Sequence, residues 1–458
     1  MSSFLDRENT VAGPGFNRFL VPPAALAVHL CIGQAYAFST FNLPLTRLLG
    51  LTESAPNDWN LKDVGWIFSI AIVFLGLSSA VFGRWVERVG PRKSMFTAAL
   101  CFGGGFLLSA VGIQLHQLWI LYLGYGVLGG CGLGIGYISP VSTLIKWFPD
   151  RPGMATGMAI MGFGGGALIA APLSVLLMKH FATATSKGVL ETFVTMGVIY
   201  FMFMMIGVIT VRVPAPGWKP AGWVPSAHPK SLVTTANVSA AVAWRTPQFW
   251  LLWMILCMNV TAGIGVLGQA SPMIQEMFPG RVTAIVAASF VGLMSLFNML
   301  GRFFWASTSD FIGRRNTYMV FFVLGIVLYF LVPTAGHIGS IPLFVGAFCV
   351  IISMYGGGFA TVPAYLRDIF GTMEVGAIHG ALLTAWSAAG VLGPVLVNYI
   401  RAYQIDHGVP KAQAYTVTMY IMCALLVVGL ICNFAMRAVN SKYHYQAGAP
   451  AAAPAGSK

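Results

Sequence analysis

Charge is what this chain has least of. Only 9% of its 458 residues are Asp, Glu, Lys or Arg, against about a quarter in an ordinary soluble domain. The 13 acids all fall in loops, in tails or at the ends of apolar runs, so no buried carboxylate is expected as a proton carrier. Cysteine is sparse too. The seven present (Cys31, Cys101, Cys131, Cys257, Cys349, Cys423, Cys432) lie within apolar runs without CxxC or zinc-ligand spacing, which excludes a disulfide framework and a metal centre and leaves small packing residues. The glycine-rich runs Gly124 to Gly136 and Gly162 to Gly166 lack a preceding strand and a following Lys-Ser pair, so they are no phosphate loops; small residues that let membrane helices approach closely explain them. No cleavable leader is expected in this sequence, because the polar start Met1 to Asn17 leads into an apolar run longer than a signal-peptide core, which should remain as a membrane span.

What is present is hydrocarbon. The chain is 57% hydrophobic with a mean hydropathy of +0.77, and apolar segments fall at about 19–48, 63–84, 94–113, 117–145, 153–178, 191–213, 247–275, 283–309, 316–335, 341–366, 375–400 and 412–437. Each is long enough for a bilayer core of roughly 30 Å. The fold class is therefore all-α integral membrane, with twelve transmembrane helices. The net charge of +13 does not imply nucleic acid, because the cations sit in short loops. Eighteen of the 26 Lys and Arg lie in the tails and loops on the side of the termini, seven on the opposite side, so the positive-inside rule puts both termini in the cytoplasm of a cell whose inner membrane holds the protein.

The chain divides into a cytoplasmic N-terminal segment (1–18), a six-helix bundle (19–213), a central linker rich in Pro, Lys, Trp and Ala (214–246), a second six-helix bundle (247–437) and a tail (438–458) whose Ala-Pro-Gly end predicts disorder. The bundles repeat one another. At an offset of 223, Gly83 to Lys93 falls on Ala306 to Asn316, pairing Glu87 with Asp310, Gly90 with Gly313 and Arg92 with Arg315; Pro140 falls on Pro363 and Gly157 on Gly380. Two pseudo-symmetric bundles around a midplane cavity are the arrangement of secondary transporters, and neither a channel nor a membrane enzyme needs it.

One cation breaks the apolar pattern. Arg302 lies inside the run 283–309, where an arginine costs about 2.5–3.5 kcal/mol at a helix centre, so it faces a cavity or a counter-charge. Ser295 and Asn298 lie at helical spacing with it and make one polar stripe. The alternative is that Arg302 snorkels or pairs with Asp310, eight residues and about 12 Å along the helix. Candidate cavity walls are Gln34 and Tyr36 in the first segment, Tyr137 in the fourth, Gln269 in the seventh, Tyr355 in the tenth and Trp386 in the eleventh; helix packing is the alternative for each. His29 and His379 are the titratable groups left inside apolar runs, and hence the candidates for proton coupling or, more plainly, packing histidines.

The paired turns, each with an acid, a glycine and basic residues, resemble the signature of the major facilitator superfamily, G-x-x-x-D-R-x-G-R-[RK] in this loop. That resemblance implies a gate in which Glu87, Arg88, Arg92, Asp310, Arg314 and Arg315 pair across helix ends and hold one face closed. Gly134-Ile-Gly-Tyr137-Ile-Ser-Pro140, Gly357-Gly-Phe-Ala-Thr-Val-Pro363, Asp368-Ile-Phe-Gly371 and the run from His379 through Trp386 to Pro394 are similar to the oxalate/formate antiporter family over all twelve segments. Arg302 matches that family's arginine in the eighth helix. The family's oxalate exchanger is expected to carry a lysine in the eleventh helix at or near Trp386, and this chain has none between Val375 and Ile400. Oxalate, a dianion, wants two cations, whereas one guanidinium forks onto one carboxylate. The expectation is therefore a monomeric secondary transporter, not an enzyme, that moves a small carboxylate by alternating access. Formate, lactate or pyruvate is favoured, carried by anion exchange or with protons, with no cofactor and no metal. The alternatives are an oxalate/formate antiporter and a receptor that senses the anion without moving it, though no output domain is visible for the latter. A carrier of sugars or cationic drugs would leave Arg302 without purpose.

Overall fold

The computed structural model describes residues 3–224 and 232–445. Its long helical segments are α1 Arg18–Leu45, α2 Leu61–Val89, α3 Pro91–Gln114, α4 Leu118–Trp147, α5 Pro152–Phe181, α6 Val189–Thr210, α7 Pro247–Leu267, α8 Ala284–Ile312, α9 Arg314–His337, α10 Ile341–Phe370, α11 Val375–Asp406 and α12 Thr416–Ala435. Eleven are long and apolar enough to cross a bilayer; α8, with 29 residues and Arg302 inside it, is the twelfth. No strand forms among the described residues beyond isolated bridges such as Val11 to Val213.

The helix starts follow local chemistry. Proline occupies the first turn of α3, α5, α7 and α10, where its missing N–H is no loss. Side chains of Asn60, Thr246, Thr283 and Ser340 cap α2, α7, α8 and α10.

Four expected elements differ in detail. The first segment is α-helical only over Val21–Ile32; it tightens to 3-10 geometry over Gly33–Phe41 and recovers in Asn42–Leu45. The expected helix 247–275 stops at Leu267, and a separate short helix Ala270–Met277 follows. The eleventh changes course at Leu383, between Val375–Leu382 and Thr384–Asp406. Most of all, the charged stretches read as turns are almost wholly helical. Only Gly90 and Gly313 separate α2 from α3 and α8 from α9, at φ of +84° and +87°, a region that an L side chain enters at a steric cost and glycine does not.

The principal packing between the two sets of six helices is α5 on α8 and α2 on α11. Both contacts depend on glycine. A Cβ on Gly157 would meet the Arg302 carbonyl oxygen at 3.0 Å, and one on the pseudo-equivalent Gly380 would collide with the carbonyl of Ser79. Ser79 stands 223 residues before Arg302. The internal repeat thus survives as matched backbone-to-backbone approaches.

Parts of the expected linker and tail are also placed. Thr234 N–H donates to Asp368 O (2.7 Å), Val238 N–H to Phe370 O (2.9 Å) and Tyr445 N–H to Asn237 O (2.7 Å), so residues 234–238 and Tyr445 lie along the α10–α11 junction. Linker residues 225–231 and the tail Gln446 to Lys458 lie outside the described residues.

Candidate functional site

Arg302 is fully buried, so its side chain does not snorkel to a surface. Nε donates to Asn298 Oδ1 at 3.0 Å, one turn back on α8, and Nη1 reaches the Ile160 carbonyl of α5 at 3.5 Å. Phe163 and Phe359 flank the guanidinium, with ring centroids 5.6 and 5.4 Å from Cζ, near enough for cation–π attraction. Nη2 has no partner, and Asp310, the anticipated alternative, is engaged elsewhere. A buried donor left unpaired costs about 1–3 kcal/mol, more when charged. An arriving carboxylate oxygen removes that cost.

Around this nitrogen the two bundles converge in an aromatic cluster. Tyr36 of α1 and Tyr355 of α10 share a hydroxyl–hydroxyl hydrogen bond of 3.0 Å. Trp386 of α11 packs on Phe163 at 5.3 Å, Tyr137 at 5.5 Å and Phe359 at 4.3 Å. Phe163 and Trp386 are 223 residues apart, so they are repeat mates touching across the pseudo-two-fold axis. Tyr137 Oη and Trp386 Nε1 are buried without partners. The site therefore offers one fixed positive charge, several spare donors and apolar walls, which is the chemistry of a small anion with an apolar part.

Arg302, Asn298, Tyr36, Tyr137, Tyr355 and Trp386 thus come together, with His29 and His379 at the edge: each ring lies against Tyr137, at 5.4 and 5.8 Å between centroids. Two expected wall residues do not. Gln34 turns into the first bundle, where its Oε1 accepts from Tyr125 Oη (2.9 Å), because the 3-10 stretch rotates successive side chains by 120° instead of 100°. Gln269 lies past the end of α7, at the start of the short helix. Ser295 donates back to the Val291 carbonyl at 3.1 Å, so the polar stripe narrows to Asn298 and Arg302.

Glu87 and Asp310 of the two charged turns do reach across to the other bundle, but their partners there are not the expected arginines. Glu87 accepts from Lys146 Nζ (2.5 Å) and Ser142 Oγ (2.5 Å) of its own bundle and from Gly376 N–H (3.1 Å) at the start of α11 in the other. Asp310 accepts from Arg314 (2.6 Å) and from Gly153 and Met154 N–H (2.9 and 2.8 Å) at the start of α5. Gly153 and Gly376 are again 223 apart. Each bundle presents one acid to the positive end of the other bundle's fifth helix. Arg367 adds a bond to Pro149 O (3.1 Å), and Arg314 also pairs with Asp368 (3.2 Å). The side bearing the termini is therefore bolted shut.

Arg88, Arg92 and Arg315 do not join the acids. Arg88 is exposed; Arg92 holds the N-terminal segment through Phe4 O (2.8 Å) and Asn9 O (3.1 Å); Arg315 binds Asn433 O (3.3 Å) and Phe434 O (2.8 Å) at the end of α12. Sequence reasoning missed Lys146, Asp368, Arg367, Phe163 and Phe359. The offset of 223 could have found Phe163 from Trp386 and Gly153 from Gly376. Nearby, Asp150 forks with Arg18 at 2.6 and 2.8 Å; burial pushes its carboxyl up, but the Arg18 guanidinium, its own backbone N–H and the Arg151 charge together hold it below the usual carboxylate range.

Comparison with known proteins agrees with this geometry. The family model of the Major Facilitator Superfamily matches residues 24–394. The chain is 27% identical over 376 residues to the oxalate:formate antiporter of Oxalobacter formigenes, covering 82% of each chain, and 24% identical to apicoplast pyruvate carrier 1 of Toxoplasma gondii, covering 80% of each. The fold superimposes on the transporter FucP in its outward conformation with a TM-score of 0.64 and 14% identity, over 90% of this chain and 98% of that one.

Proposed function

The chain belongs to the Major Facilitator Superfamily of membrane transporters, and from that premise we propose that it carries a small monocarboxylate across the membrane by alternating access. One observation carries this reading: the fully buried Arg302 guanidinium with Nη2 unpartnered and no carboxylate opposite it among the described residues. A monoanion at that nitrogen neutralises the site and restores the missing bond. A dianion leaves one negative charge uncompensated where the dielectric is low. The aromatic walls suit the methyl or methylene part of pyruvate or lactate, and the antiporter and pyruvate carrier among the relatives support the substrate class.

Alternating access follows from the bolts. With the termini cytoplasmic, as the cation count proposes, Glu87 to Gly376 and Asp310 to Gly153 and Met154 close the inner face. Opening it breaks both and rocks the bundles over the glycine contacts at Gly157 and Gly380. The test is counterflow in liposomes holding the purified full chain, with formate, lactate, pyruvate and oxalate as trans-substrates for a labelled monocarboxylate. Acceleration by monocarboxylates above protein-free liposomes supports the reading; no acceleration by any carboxylate overturns it.

A further inference from the structure

The exposed face of α2 changes character within one turn of its end on the side of the termini. Leu77 and Val81 on that face are apolar, 45% and 73% exposed, and in a membrane-spanning chain they meet lipid. Arg84 and Arg88 follow at spacings of three and four and are exposed in their turn, so the four share one face. A switch from hydrocarbon to cation marks the level where a bilayer core gives way to its headgroups. Neither arginine side chain has a hydrogen-bond or ion-pair partner among the described residues.

Beside them opens a cavity of about 510 Å³ between the bundles. The wall on the first bundle holds Arg7, Arg84, Arg88, Lys146 and Glu87; the wall on the second is Thr372, Met373 and Glu374. Three of these groups are in use. Arg7 donates to the Glu87 carbonyl (3.3 Å), Lys146 to the Glu87 carboxylate (2.5 Å), and Glu374 accepts from Ala240 N–H (2.6 Å). Four cations against two carboxylates leave the cavity two positive charges in surplus.

The rocking machinery does not account for that surplus. At the repeat offset Arg84 falls on Ser307, Arg88 on Phe311 and Lys146 on Ile369. The corresponding cavity on the other side of the interface, about 540 Å³, is bordered by Asp150, Asp310 and Asp368 with Arg314 and Arg367, and both of those arginines already sit on acids. Keeping a loop in the cytoplasm asks for cations, but not for four that converge on one cavity with two of them unpaired.

We propose that this cavity is a binding site for a phosphate monoester, separate from the anion site at Arg302 and independent of what that site carries. A monoester bears about −1.5 to −2 charges near neutral pH, which matches the surplus; a monocarboxylate matches half of it. Its oxygens accept forked bonds from Arg84 and Arg88, while Lys146 acts as a point charge and the Thr372 hydroxyl as a neutral donor from across the interface. The cavity is roomier than a bare phosphate needs, so the group arrives as an ester. Its organic part is either that of a soluble metabolite or that of a lipid whose chains lie along Leu77 and Val81. Glu374 is the wall group that opposes binding.

The experiment has two arms, both with the full chain. One measures binding of labelled glycerol 3-phosphate to protein in phosphatidylcholine nanodiscs, with empty discs subtracted. The other measures phosphatidic acid retained by the solubilised protein relative to phosphatidylglycerol, whose phosphate is a diester with a single charge. Binding is expected in at least one arm. Arg84→Gln with Arg88→Gln should weaken it about ten-fold or more, through the loss of two charge-assisted contacts. Glu374→Gln, which keeps an acceptor for Ala240, should tighten it about two-fold or more by removing a like charge. Arg302→Ala should leave it unchanged. Binding in the first arm alone assigns a soluble ester, in the second alone a lipid headgroup, and in both a cavity open to either. No binding in either arm overturns the site. So does binding as tight in the double variant as in the parent, binding that Glu374→Gln fails to tighten, or binding that Arg302→Ala abolishes. Neither arm reads transport, so failure here leaves the carboxylate reading untouched.

Discussion

Replacing Arg302 separates its charge from its shape. In Arg302→Ala the positive charge, the bond to Asn298 and the cation–π contacts with Phe163 and Phe359 all go. In Arg302→Lys the charge survives, but an ammonium cannot hold Asn298 and fork onto a carboxylate at once. The loss of one charge-assisted hydrogen bond is about 1.5–3 kcal/mol, or roughly 10- to 150-fold in affinity. The lysine variant should therefore need at least ten times more monocarboxylate for half-maximal counterflow, and the alanine variant should fall to the protein-free background. Insertion is checked independently by detergent-solubilised size-exclusion profiles, which should match the parent, because removing an unpaired buried charge is not destabilising in the way that breaking a satisfied pair is. Normal uptake by Arg302→Ala, or identical half-saturation in Arg302→Lys, would refute the anion-site argument.

The bolts should control speed more than binding. Glu87→Gln and Asp310→Asn are expected to bind monocarboxylate within about three-fold of the parent while changing the exchange rate ten-fold or more, since each loses a charged acceptor worth about 1.5–3 kcal/mol in only one conformation; a large affinity loss with unchanged rate counts against this. Trp386→Lys adds a second cation beside Phe163 and Phe359 and should raise the potency of oxalate relative to pyruvate in competition assays, whereas oxalate already winning in the parent would undo the single-cation reasoning. Gly380→Leu should abolish transport by colliding with the Ser79 carbonyl, and robust counterflow in that variant would show that α2 and α11 need not meet. Because Asp150 titrates below its unfolded range in the folded protein, its fork with Arg18 stabilises fully above about pH 4 and fades as the pH falls further; the melting temperatures of parent and Asp150→Asn should converge on acidification from pH 5 to pH 3, and a constant gap would contradict the role.

Hydropathy located the helices because a bilayer leaves few other solutions for an apolar run. Arg302, and through it the centre of the site, was legible for the same reason: a charge in hydrocarbon is conspicuous. What escaped were features that hydropathy does not encode. Gln34 was misplaced because the winding of α1 changes at Gly33, and Gln269 because the apolar run 247–275 continues through a break in the backbone. The acids of the gate were found by the repeat, but their partners were sought among nearby arginines. The true partners are the backbone amides of Gly153, Met154 and Gly376, which any residue but proline could supply and which no side-chain motif announces. Phe163 and Phe359 were hidden among 32 phenylalanines, indistinguishable by composition from those that face lipid.

The offset of 223 separates two kinds of position. Gly153 and Gly376, Gly157 and Gly380, and Glu87 and Asp310 make matching contacts in both copies, whereas Ser79 opposite Arg302, and Phe163 opposite Trp386, differ in kind. Within the repeat, the positions that bring the two bundles together are matched, while those lining the anion site are not. The chassis and the freight are written in different letters of the same sequence, and for anyone redesigning such a carrier the second set can be edited while the first is left alone.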